Sequence, residues 1–95
     1  MTEPRSQGVF AISVAADLVS MPIANLRVYE RRGLVDPDRT AGGSRLYSRN
    51  DIERLHRVRD LLAAGLNLAG VAHVVALEDE VARLRSANQR LRRER

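Results

Sequence analysis

Residues 20–48 read SMPIANLRVYERRGLVDPDRTAGGSRLYS, and three marks divide that stretch into elements. Pro22 stands where a helix can restart, since a proline in a first turn lacks only an N–H that has no intrahelical partner. Leu26, Tyr29 and Arg32 follow at regular spacing until Gly33 stops the run. Asp36, Pro37, Asp38, Thr40, Gly42, Gly43 and Ser44 then make a turn-rich segment, in which Gly42 and Gly43 suit the positive φ angles of a hairpin. Residues 38–47 are therefore expected to form a two-stranded wing behind a helix.

Upstream, residues 9–12 suit a short strand leading into a helix that Ser13 can cap and that runs to Ser20, with Val14, Ala15, Leu18 and Val19 on one face. Ser20 and Met21 make a tight turn between two helices, a helix-turn-helix pattern. Residues 1–8, which include Glu3, Pro4, Arg5, Ser6, Gln7 and Gly8, offer nothing to bury and are expected to form a disordered arm.

Downstream, Ser48 and Asp51 have the spacing of a capping box and open a third helix. Ile52, Leu55, Val58 and Leu62 would line its inner face, with Arg49, Arg54, Arg57 and Arg59 elsewhere, until Gly65 ends it. Asn67 is placed to cap a fourth helix that buries Leu68, Val71, Val74 and Val75. From there the apolar period shortens to heptads, with Val74, Val81 and Asn88 at a positions and Leu77, Leu84 and Leu91 at d positions. The sequence thus divides into a disordered arm over 1–8, a winged helix-turn-helix over 9–76 and a coiled-coil dimerisation helix over 77–95. The fold class is mainly α, four helices plus a two-stranded wing.

Composition narrows the chemistry. All 16 basic residues are arginine, against 12 acids, and the formal charge of +4 favours a polyanionic partner. A GC-rich genome would explain the choice of arginine over lysine, but not its clustering. With one Phe, two Tyr and no Trp the core must be aliphatic. The absence of cysteine removes disulfides and thiolate metal sites. His56 and His73 have no partners at ligand spacing, so neither a metal nor another cofactor is expected. Ser13, Asp17, Asp51 and Glu53 form no nucleophile and base arrangement, so the chain does not read as an enzyme. It has no signal-peptide core and no run of about 18 apolar residues, which points to the cytoplasm.

The run Asn25-Leu26-Arg27-Val28-Tyr29-Glu30, followed by Gly33-Leu34-Val35 and Pro37, resembles the second helix of MerR-family transcriptional regulators. Arg39, then Gly43-Ser44-Arg45-Leu46-Tyr47-Ser48 and Asp51, resembles that family's wing and third-helix start. The similarity covers about residues 9–77 and departs from the family pattern at Pro22, Asn25, Val28 and Ser44. Within the family, Thr40-Ala41-Gly42-Gly43-Ser44-Arg45 and Gly65-Leu66-Asn67-Leu68-Ala69-Gly70-Val71 are most similar to the heat-shock repressor branch. The resemblance implies a regulator of heat-shock or stress genes, a repressor, that binds double-stranded DNA in the nucleoid. The branch adds a chaperone or other protein as a further partner.

A second helix of this kind enters the major groove, where Ile23, Ala24, Asn25 and Arg27 near its N-terminus are the candidates to reach base edges. Asn25 suits adenine and Arg27 suits guanine or phosphate, each bidentate contact discriminating by about 1–3 kcal/mol where it is made to a base. The resemblance implies that Arg27 and Tyr29 hold DNA, though Tyr29 also fits as an aromatic at the core edge. Arg39 and Arg45 bracket the glycine turn, which would set them together over phosphates. Tyr47 has two places, its hydroxyl on a phosphate, as the resemblance implies, or its ring packed on the third helix. Arg31, Arg32, Arg49 and Arg54 divide between DNA contact and solvated surface.

The heptads make physical sense as a homodimer, since doubling the half-site raises affinity. Glu78, Asp79 and Glu80 open the tail, while Arg83, Arg85, Arg90, Arg92, Arg93 and Arg95 close it. An antiparallel pair brings acidic starts toward basic ends and sets Leu77 against Asn88, although Asn at an a position more often marks a parallel pair. Family resemblance favours antiparallel. The alternative function is a DNA-docked adapter, or recombination accessory factor, whose C-terminal helix recruits a partner protein.

Overall fold

Strand pairing, not capping, starts the first helix. In the computed structural model, which describes residues 4–94, β1 (Phe10–Ala11) runs straight into α1 (Ile12–Val19), followed by α2 (Ile23–Arg31), β2 (Asp38–Arg39), β3 (Arg45–Tyr47), α3 (Arg49–Ala63) and α4 (Leu68–Arg93). Helix α1 has Ala11 in its cap position and no side-chain cap. Ser13, expected to cap it, lies inside the helix, because the chain turns helical as soon as its pairing to β3 ends. Ser20 closes α1 in left-handed backbone at φ 54°, and Met21 N–H returns to the Ala16 carbonyl at 3.0 Å. Pro22 then occupies the cap position of α2, just ahead of its first turn.

β3 is the centre of a three-stranded antiparallel sheet in the order β1-β3-β2. Tyr47 and Leu46 face Phe10 and Ala11 on one side, and Leu46 and Arg45 face Asp38 and Arg39 on the other. The expected two-stranded wing is present, and β1 completes it. Its turn is closed by Thr40 N–H donating to the Ser44 carbonyl at 2.8 Å. Of the two turn glycines only Gly43, at φ 88°, uses positive φ; Gly42 does not.

Residues 4–8, expected as part of a disordered arm, form a turn strapped across the wing and α3; residues 1–3 lie outside the described residues. Gly8 N–H donates to Asp38 Oδ2 at 2.9 Å, Asn50 N–H donates to the Arg5 carbonyl at 3.0 Å, and the Arg5 guanidinium pairs with Asn50 and Glu53. The strap passes so close that a Cβ on Gly8 would stand 2.5 Å from the Leu46 carbonyl oxygen. Polar contacts, which hydropathy does not register, hold it.

The core is aliphatic, as the composition requires: Val19, Leu26, Leu55, Val58 and Val71 are fully buried, with Tyr47 the one aromatic among the fully buried side chains. Each such leucine contributes roughly 1.5–3 kcal/mol of apolar burial. On α1 the inward face is Ala15, Ala16 and Val19, whereas Val14 and Leu18, expected to share it, are 45% and 47% exposed. Two alanines let α1 lie close against its neighbours, and that close approach selects the small side chains. On α3 the buried positions are Leu55, Val58 and Leu61, with Ile52 and Leu62 half-buried. The Ser48–Asp51 capping box forms in both directions, and the Asn67 side chain accepts from Gly70 N–H to cap α4.

Helix α4 buries Val71 and Val75 and half-buries Leu68 and Val74. It then continues without a break past residue 76, so the backbone carries no boundary where the sequence divides domain from dimer helix. Two ion pairs strap the continuing helix to α3: Arg54 to Asp79 at 2.5 Å, and Arg57 to both oxygens of Glu78 at 2.7–3.1 Å. No described helix is long and apolar enough to cross a membrane.

Candidate nucleic-acid interface

Helix α2 presents its N-terminal turn and one flank to solvent. Ala24, Arg27 and Arg31 are exposed at helical spacing, while Leu26 and Tyr29 point into the core. Ile23 is half-buried against the core and Asn25 is half-buried. Asn25 lines a shallow surface hollow of about 280 Å³ with Val28, Tyr29, Leu62 and Leu68. Arg27, Arg31 and Arg32 make no ion pair among the described residues, so their charge is available to a partner. The sequence left Arg31 undecided, although its spacing of four from Arg27 was a usable signal.

Both tyrosines singled out in the sequence are buried. Tyr29 is 4% exposed, and burial raises its pKa above the ordinary 10.0 while a hydrogen bond with Asn25 pulls it down. Tyr47 is wholly buried, and its hydroxyl has no hydrogen-bond partner among the described residues. Its pKa is also raised, first by burial and then by the nearby Glu30 carboxylate. In this structure Tyr47 takes the packed of its two places, with its hydroxyl buried. The cause is its register: Tyr47 faces Phe10 across the sheet, on the core side.

The wing arginines do come together, and a residue the sequence did not single out joins them. Glu30, in the last turn of α2, accepts from Arg39 Nη2 at 2.9 Å and from Arg45 Nε at 2.5 Å. Arg39 Nη1 also donates to the Gly43 carbonyl across the turn at 3.0 Å. Glu30 lies in the motif between two arginines, and only the fold reveals that wing arginines reach back to it.

Elsewhere, Arg59 donates to the Val19 carbonyl at 2.9 Å and so holds the end of α1. Arg49 stacks its guanidinium 5.5 Å from the centre of the Phe10 ring. Among the described residues no group of three or more His, Cys, Asp and Glu side chains is placed to hold a metal ion.

On α4, Leu77, Val81, Leu84 and Leu91 are exposed large apolar residues, Asn88 is exposed, and Val74 packs partly on the core. They border shallow hollows, one of about 430 Å³ along Val74, Leu77 and Val81, and one of about 390 Å³ along Val81, Leu84 and Asn88. The acidic start of the tail is already engaged: Glu78 by Arg57, Asp79 by Arg54 and Glu80 by Arg83. These pairs are solvent-exposed, so a second chain's arginines would compete with them for the same acids.

Residues 10–78 match the MerR HTH family of regulatory proteins. A protein named for heat shock, HspR, of Streptomyces coelicolor is 49% identical over 79 residues, covering 82% of this chain and 52% of that protein. The HTH-type transcriptional regulator GlnR of Bacillus anthracis is 40% identical over 75 residues, covering 79% and 58%. The chain thus spans a little over half the length of these relatives. Among solved structures, HiNmlR, a MerR-family regulator lacking the sensor domain and bound to promoter DNA, has the same fold at a TM-score of 0.63 and 18% identity, covering 88% of this chain and 76% of that one.

Proposed function

The chain belongs to the MerR HTH family of regulatory proteins, and from that premise we propose that it is a DNA-binding transcriptional regulator that reads an inverted repeat as a homodimer. The observation that carries this is the exposed flank of α2, where Ala24, Arg27 and Arg31 stand in solvent, the two arginines without an ion pair among the described residues, beside a wing bearing Arg39 and Arg45. Ala24 and Arg27 lie where a recognition helix meets base edges, and Ile23 and Asn25 flank them. Arg39 and Arg45 serve the phosphates, which fix orientation without reading sequence. Tyr29 supports α2 from beneath and touches DNA only at its edge. The relatives are transcriptional regulators, not enzymes. The likeness to a protein named for heat shock supports a role at stress genes; in this reading that role is repression, with a chaperone or other protein as a further partner. The site of action is the nucleoid, in the cytoplasm.

The dimer forms through Val74, Leu77, Val81, Leu84, Asn88 and Leu91. An antiparallel arrangement separates the arginines at 85, 90, 92 and 93, which have no ion pair among the described residues, whereas a parallel one would align both sets. Selection of bound duplexes from a randomised pool tests the function. An inverted repeat should be recovered, and Asn25→Ala should shift the preferred bases; recovery of unrelated sequences would refute it.

A further inference from the structure

We propose that Glu30 is a positioning residue that sets DNA specificity, by holding both wing arginines on one carboxylate and so withholding part of their charge from random phosphates. This rests on the DNA-binding function above. A carboxylate in the last turn of a helix opposes the helix dipole, so Glu30 is poorly placed for helix stability by itself. Its two oxygens are divided between two strands of the wing, one on Arg39 and one on Arg45. The side chain is only 17% exposed, against 48% for Arg39 and 25% for Arg45. Water therefore screens the cluster incompletely, and the wing is pinned to the C-terminal end of the helix that carries Arg27.

Carboxylate and phosphate compete for the same guanidinium hydrogens. Two arginines against one glutamate leave this three-residue cluster a net charge of about +1. A random duplex, which supplies only phosphates, must draw the arginines away from Glu30 to gain more. A cognate duplex also engages the exposed flank of α2, which holds the wing over its phosphates in the pinned position. Glu30 therefore weakens random binding more than cognate binding.

Glu30→Gln keeps the shape and removes the charge; its amide nitrogen can no longer accept, so one arginine is released. In salt titrations on a random duplex, the slope of log affinity against log salt should steepen by about one, and affinity should rise roughly three- to tenfold. On the duplex selected from the pool the rise should be smaller, so the ratio of specific to random affinity falls. In an Arg39→Ala/Arg45→Ala background the same substitution should change neither. Glu30→Ala gives a second variant read by the same slope. A slope and ratio equal to wild type with only a lowered melting temperature would overturn the proposal, as would a gain that persists without the two arginines. A wild-type protein that fails to distinguish the two duplexes would instead overturn the function on which it rests.

Discussion

A buried hydroxyl without a partner costs about 1–3 kcal/mol, and the Tyr47 hydroxyl is such a group among the described residues. Tyr47→Phe is expected to raise stability by about 1 kcal/mol, seen as a melting temperature higher by roughly 4–8 °C for a domain of this size. DNA affinity should be unchanged; a several-fold loss would return Tyr47 to the phosphates. Burial also raises the pKa of both Tyr29 and Tyr47. The unfolded chain then ionises first, so the stabilising effect is intact below pH 10 and is lost as pH rises through the folded values. Thermal melts should show an alkaline limb beginning near pH 10 that is shallower in Tyr47→Phe. A family-like motif in the sequence marks a position, and for Arg39 and Arg45 the position was enough to place them together. For Tyr47 the strand register decides which way the ring points, and that depends on a partner strand far away in the sequence.

At the scale of the element, what was legible is what depends on neighbouring residues. The Ser48–Asp51 capping box and the Asn67 cap are reciprocal contacts within a few residues, and both form as expected. Ser48→Ala should cost about 1 kcal/mol, measured by denaturant unfolding, and an effect within error would mean that packing alone starts α3. Ser13 failed as a cap, and Val14 and Leu18 failed as core, because β1 pairing and the close approach of Ala15 and Ala16 override local preference. The pairs between α3 and α4 were likewise invisible, since nothing local joins Arg57 to Glu78. Arg57 holds the Glu78 carboxyl below its ordinary 4.5. That contribution is present above the ordinary carboxylate range and is lost as pH falls through the lowered value. The acid limb of a melting profile should therefore flatten slightly in Arg57→Ala, by a small amount because both groups are solvated.

For the whole molecule, helix α4 is the element whose sequence pattern and surroundings point beyond one chain. Its inner half closes the core, and its outer half leaves large apolar side chains in water, with Leu77 65% exposed. The heptads were readable from the sequence; the pairing of Glu78 and Asp79 with α3 was not, because it required the position of that helix. Leu84→Glu places like charges at the centre of the proposed pairing, and sedimentation should change from dimer to monomer with the winged domain still folded. A dimer that survives would move the contact off this face, and a monomer in the wild type that joins a different protein would favour the adapter. The most direct test is titration of the wild-type protein against the selected inverted repeat and a scrambled duplex at matched ionic strength. The inverted repeat should bind about 10³-fold more tightly or better, with both affinities falling as salt rises. Equal affinities for the two duplexes at every salt concentration would contradict it.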